Sequence, residues 1–221
     1  MSQNGYSGKM GYVLLTFLSS ISTLFAACAP SDQPTTQQMI SADATSAAQP
    51  WMSDLFACAD ELSIVVKIAP DDPQIYLRIG EPETLLVPAY QIDEEELLIV
   101  THRESPVQKL SLEEAQALFS GLGDPSMQVW VYPSELDVQR VFEQFVMQGR
   151  SVASSAGIAA GPQQMSDLLN AESNAIGILP KHWKAGNPRE VYSLGVFPVL
   201  AVLKEEPQGA VAAVLACLQN D

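Results

Sequence analysis

The residue best placed for chemistry is Cys28, at the end of Leu24-Phe25-Ala26-Ala27-Cys28. Two small residues and a cysteine closing an apolar segment form the pattern at which a bacterial-type lipoprotein signal is cut and the new terminal cysteine acylated. Upstream, Lys9 and the amino terminus supply positive charge. Tyr12 to Phe25 supplies an apolar run of signal-peptide length, shorter than a spanning helix needs. Phe25 fits the cleavage box less well than Leu would, so an ordinary secretory signal and an uncleaved anchor are the competing readings. All three export the chain.

Export gives the other two cysteines an oxidising compartment, where Cys58 and Cys217 are expected to pair as a disulfide. Trp51, Leu55, Cys58 and Leu62 share one helical face. Val211, Val214, Leu215 and Leu218 share another, with Cys217 on its flank. Two buried free thiols are the alternative. Arg78, on a strand leading to Gly80, is a candidate for bidentate grip on a carboxylate or oxyanion, or an outward Arg on a half-exposed strand. Ser134 can offer its hydroxyl to a ligand from a helix start, or cap that helix within Ser134-Glu135-Leu136-Asp137. Ser154 and Ser155 with Gly157 form a small polar loop able to approach a ligand, or a plain turn.

Catalytic and metal chemistry find little support. His102 and His182, the only histidines, have no Cys or carboxylate partners at metal-ligand spacing, so no metal site is expected. No Gly-x-Ser-x-Gly elbow exposes a serine. Asp93-Glu94-Glu95-Glu96 reads as a solvated acidic turn, without the spaced oxygens and glycine of a calcium loop. Neither an enzyme nor a cofactor is expected. A formal net charge of −15 repels nucleic acid and anionic headgroups, which excludes nucleic-acid partners.

These residues need elements to position them. Residues 28–50 are Ser, Thr, Gln, Ala and Pro with little to bury, which predicts a disordered tether, with the fold beginning at Trp51. The remaining length, about 170 residues, suffices for one core or two small lobes. Ile64–Ile68, Ile75–Ile79, Leu97–Val100, Val129–Tyr132, Ala175–Leu179 and Val196–Leu203 read as strands. Ser111-Leu112-Glu113-Glu114 is a capping box opening a helix through Phe119. Val138, Val141, Phe142, Phe145 and Val146 mark an amphipathic helix ending at Gly149. Gly161-Pro162 starts another helix, and Pro207 opens the last. Strands alternating with helices predict an α/β protein with mostly parallel sheets, whose ligands collect at strand carboxyl ends beside helix amino termini.

The run from Glu96 to Val107, continuing through Leu110-Ser111-Leu112-Glu113-Glu114 to Leu118-Phe119-Ser120-Gly121, resembles the central segment of the phosphate-type periplasmic binding proteins of ABC importers. Asn174 to Pro180 is similar to that family's later strand, and Phe197 to Val202 to its return strand. The resemblance covers Glu94 to the carboxyl terminus. It implies a type 2 periplasmic-binding-protein-like fold, lobe 1 about 51–100 and 190–221 and lobe 2 about 101–189, with a solute trapped between them by hinge closure. It also implies a solute-binding lipoprotein held at the membrane by Cys28 and partnered by an ABC permease. The first lobe looks shortened, because Trp51 to Gln91 lacks the family's Ser- and Gly-rich loops.

Where the family reads its oxyanion with Ser-Gly-Thr-Arg, alignment on Phe142 puts Leu136-Asp137-Val138-Gln139. Asp137 facing a phosphate dianion repels it unless Arg140, one position beyond the family's Arg, or a shared proton compensates. Arg140 on a solvent-facing helical position is the alternative. Two functions remain open: a receptor for a small molecule or oxyanion, and an interaction or sensory module that kept the fold but lost the pocket.

Overall fold

Alternation of Ile40, Ala42 and Ala44 with more exposed neighbours makes Met39–Ala44 a strand, β1, one face of which is buried. The computed structural model describes residues 37–82, 84 and 86–220; Cys28 and the expected export signal lie outside them. The predicted tether therefore ends earlier than 50. Its second half folds as β1 and a single 3-10 turn, Gln49–Trp51. Small side chains let β1 fit inside the sheet, where the low-complexity composition had suggested nothing to bury.

Helix α1 (Met52–Glu61) leads to β2 (Val65–Ile68) and β3 (Ile75–Ile79), both parallel to β1. Next comes β4 (Ala89–Thr101), thirteen residues long, then α2 (Leu112–Phe119), which carries the capping box with Ser111 Oγ accepting from the Glu114 N–H. β5 (Gln128–Val131), α3 (Asp137–Phe142), β6 (Gly157–Ile158), α4 (Pro162–Ala171) and β7 (Ala175–Pro180) follow. The chain returns through β8 (Arg189–Leu203), fifteen residues long, and closes with α5 (Gly209–Leu218).

All eight strands join one sheet in the order β2-β1-β3-β8-β4-β7-β5-β6. Parallel pairing is confined to the flanks, β2-β1-β3 and β7-β5-β6, whereas β3–β8, β8–β4 and β4–β7 are antiparallel. Two sheets become one because β4 and β8 run the full width in opposite directions. β3 flanks β8 only over Val199–Leu203, and β7 flanks β4 only over Leu97–Thr101. Between these limits, Glu94, Glu95 and Glu96 pair with Pro198, Phe197 and Val196 as a two-stranded bridge with no third strand beside it. The polypeptide thus passes twice between two halves. A register shift between Leu97 and Leu98 sits at one end of the bridge, and one between Gln91 and Asp93 near the other.

The acidic run is strand, not turn. Trp51 Nε1 donates to Asp93 at 2.7 Å, and Glu95, 1% exposed, accepts from the Lys181 N–H at 2.7 Å and contacts His182 Nδ1 at 2.6 Å. Glu96 takes Lys181 Nζ at 2.7 Å. Asp93, Glu95 and Glu96 each have a partner from a distant segment, and the exposed Glu94 accepts from the neighbouring Gln91 Nε2 at 3.4 Å, which makes a strand of four consecutive acids tolerable.

Cys58 on α1 and Cys217 on α5 form a disulfide with Cα atoms 5.8 Å apart, closing a sequence separation of 159 residues. In a chain-entropy account such a loop stabilises the fold by about 5 kcal/mol. The Cys58→Ser/Cys217→Ser protein is expected to melt about 10–20 °C lower than the parent by circular dichroism.

Candidate binding cleft

A cleft of about 910 Å³ opens beside the two-stranded bridge. The first half contributes Arg78, Gly80 and Glu81, the second Arg140, Glu143 and Phe145, and the bridge itself Val196, Phe197 and Pro198. On β3 the residues Ile75, Leu77 and Ile79 are buried in the core, so Tyr76 and Arg78 fall on the opposite, half-buried face. Gly80 then adopts φ +72°, donates its N–H to the Pro198 carbonyl at 2.8 Å and accepts from Arg78 Nε at 3.1 Å. A Cβ at Gly80 would lie 2.7 Å from Val141 Cγ2, so glycine is required both by the left-handed backbone and by the approach of α3.

Arg140 sits on the exposed side of α3 and donates from Nε to the Ser134 carbonyl at 3.3 Å. Neither Arg78 nor Arg140 forms an ion pair among the described residues. Burial lowers the pKa of Arg78, the Asp137 carboxylate opposes that shift, and Arg140 adds to it by repulsion. After Phe142 the helix widens into a π turn, Glu143–Met147. This shift of register leaves Phe145, expected on the buried face, 47% exposed with its ring centroid 5.0 Å from that of Phe197.

Asp137, the first residue of α3, does not face the cleft. It is 3% exposed and its carboxylate collects three donors. Oδ2 accepts from Thr45 Oγ1 at 2.8 Å and from the Ile79 N–H at 2.7 Å, while Oδ1 accepts from the Val138 N–H at 2.9 Å. Thr45 follows β1 and Ile79 ends β3, so a side chain of the second half is held by the first. Thr45 Oγ1 in turn accepts from the Ala48 N–H at 3.2 Å. Burial raises the Asp137 pKa, opposed in order by the Ile79, Thr45 and Val138 hydrogen bonds and by Arg78.

Of the candidate residues, the cleft unites Arg78, Gly80 and Arg140. Ser134 is exposed outside its lining and caps nothing, because Leu136 is the N-cap of α3. Ser154 and Ser155 form an exposed turn before β6. Thr45 and the Ile79 amide were not foreseen: Thr45 lay in the presumed tether, and a backbone donor has no sequence signature. Glu143, Phe145 and Val196 looked like ordinary helix and strand residues.

The Asp137 carboxyl is held more tightly as the acid in the folded protein than in the unfolded chain. Its contribution to stability is therefore complete below the ordinary value of 3.8 and lost as pH rises through the raised folded value. Denaturant titrations between pH 4 and 7 should show the parent losing more stability with rising pH than Asp137→Asn. Asp137→Ala strands the Ile79 N–H and is expected to cost about 2 kcal/mol at pH 7.

No protein-family model matches the sequence, and no curated protein matches it. Solved structures do. A protein from Clostridium perfringens, solved with bound phosphate as a phosphate ABC transporter substrate-binding protein, superposes with a TM-score of 0.71 at 14% identity, covering 82% of this chain and 93% of that one. An ABC-type phosphate transport receptor from Vibrio cholerae gives 0.63 at 12% identity, over 83% and 93%. The regulatory domain of OxyR2 from Vibrio vulnificus gives 0.61 at 6% identity, over 83% and 95%. With the double crossing of β4 and β8, these likenesses establish a type 2 periplasmic-binding-protein-like fold.

Proposed function

We propose that this chain is an extracytoplasmic solute-binding lipoprotein, anchored through Cys28, that captures a small charged molecule in the cleft and presents it to an ABC permease. One observation carries the reading: Arg78 and Arg140, from opposite halves, face the same cleft without an ion-pair partner among the described residues. A ligand touching both gains contacts as the halves approach, which is the thermodynamic requirement for closure.

Inorganic phosphate is not the ligand on this reading. The position that the sequence resemblance assigns to the oxyanion reader holds Asp137, whose own carboxylate uses the Thr45 hydroxyl and the Ile79 and Val138 amides. The same observation favours a second reading, an interaction or sensory module that retained the fold and filled its pocket. Neither reading involves catalysis, a metal or a nucleic acid.

Thermal melting of the full chain against phosphate, sulfate, organic acids and amino acids separates them. A receptor shows a saturable rise, about 5–10 °C at a hundredfold excess over Kd, which Arg78→Gln/Arg140→Gln abolishes; a module shows none. Cys28→Ser is expected to move the protein from the membrane fraction to the soluble fraction.

A further inference from the structure

Each half of the cleft offers one cation and one anion. Arg78 and Glu81 line it from the first half, Arg140 and Glu143 from the second. Arg140 and Glu143 lie three residues apart along α3 and its π turn, on neighbouring positions of one helical surface. Glu143 Oε1 accepts from Gln139 Nε2 at 2.9 Å, which orients the carboxylate and leaves its second oxygen for another donor. The formal charges of these four side chains cancel. A dianion entering this space meets two carboxylates as well as two guanidinium groups, whereas a molecule carrying both signs satisfies all four.

Apart from Gln144 and Gly80, the rest of the wall is apolar. Phe145 and Phe197 stand edge to face at 66°, and Val196, 58% exposed, continues the surface along the bridge. Pro82 and Pro198 add further apolar lining. A volume of about 910 Å³ lies in the range of sites that enclose organic molecules and far exceeds what one tetrahedral anion fills.

We infer that the ligand is a zwitterion with an apolar body, a free amino acid or short peptide whose carboxylate meets Arg78 and Arg140, whose ammonium meets Glu143 or Glu81, and whose side chain rests on Phe145, Val196 and Phe197. The inference rests on the receptor reading and names its substrate class. Bidentate Arg–carboxylate pairing supplies orientation, and the two glutamates reject ligands that lack the ammonium group. Burial of Phe145 and Val196, 47% and 58% exposed, against the ligand supplies a hydrophobic component that a phosphate cannot provide.

Calorimetric titration of the full chain with L-phenylalanine, L-leucyl-L-leucine, 3-phenylpropionate, phenethylamine and phosphate tests this. L-phenylalanine or the dipeptide should bind saturably, the better of the two telling amino acid from peptide. 3-Phenylpropionate and phenethylamine should bind at least tenfold more weakly. Glu143→Gln, or Glu81→Gln if that variant misfolds, should narrow the gap between L-phenylalanine and 3-phenylpropionate. Equal binding of 3-phenylpropionate or phenethylamine overturns the zwitterion assignment. Saturable binding of phosphate alone overturns it while sparing the receptor reading; the absence of binding by all five compounds also overturns it, and the receptor reading then falls only if the wider melting panel shows no rise.

Discussion

The carboxylate of Asp137 is the interaction on which the rest of this molecule depends. A buried acid with raised pKa is costly to keep ionised, and it persists because three donors from three separate segments converge on it. Two of those donors, Thr45 and Ile79, belong to the opposite half. The bond network is therefore a tie across the fold as well as a solvation shell for one charge. It brings α3 against the end of β3, where Gly80 has no side chain to keep Val141 away. An external anion has no claim on donors already engaged, whereas Arg78 and Arg140, further out, form no ion pair among the described residues.

The second constraint is the bridge of β4 and β8. Over Glu94–Glu96 these strands have only each other as sheet neighbours. Two acids of the Asp93–Glu96 run are tethered to opposite sides. Asp93 holds Trp51 from the first half, and Glu95 holds Lys181 and His182 beyond the end of β7. The Trp51 and His182 rings meet at 4.6 Å, joining those two attachments. Burial raises the Glu95 pKa against the pull of His182, so this tie, like that of Asp137, sets an acid in a poorly hydrated place at a junction between halves.

Much of this was legible in the sequence. Periodicity located five helices and the buried runs Leu97–Val100 and Ala175–Leu179, because long apolar patterns outweigh local ambiguity. The order of elements from Glu96 to Gly121 pointed to the fold. β1 was hidden because Ala and Ser carry a weak strand signal, although the Ile40, Ala42, Ala44 alternation was there to read. The acidic segment misled for a different reason: Glu95 and Glu96 find their partners at Lys181 and His182, some ninety positions away, and no local pattern reports that. Likewise Arg78 and Arg140 are each legible as a free cation in the sequence, but their meeting in one cleft depends on the double crossing. Asp137 was singled out as a charge in the wrong place for phosphate; that it turns inward and is itself the bound anion only coordinates could reveal.

Amide hydrogen exchange at Ile79 in the ligand-free protein, with and without phosphate, bears most directly on this picture. A donor committed to the Asp137 carboxylate exchanges slowly from the outset, and millimolar phosphate leaves its rate unchanged. Fast exchange that phosphate suppresses would mean that the amide stands open to an external anion, and that Asp137 does not occupy the site.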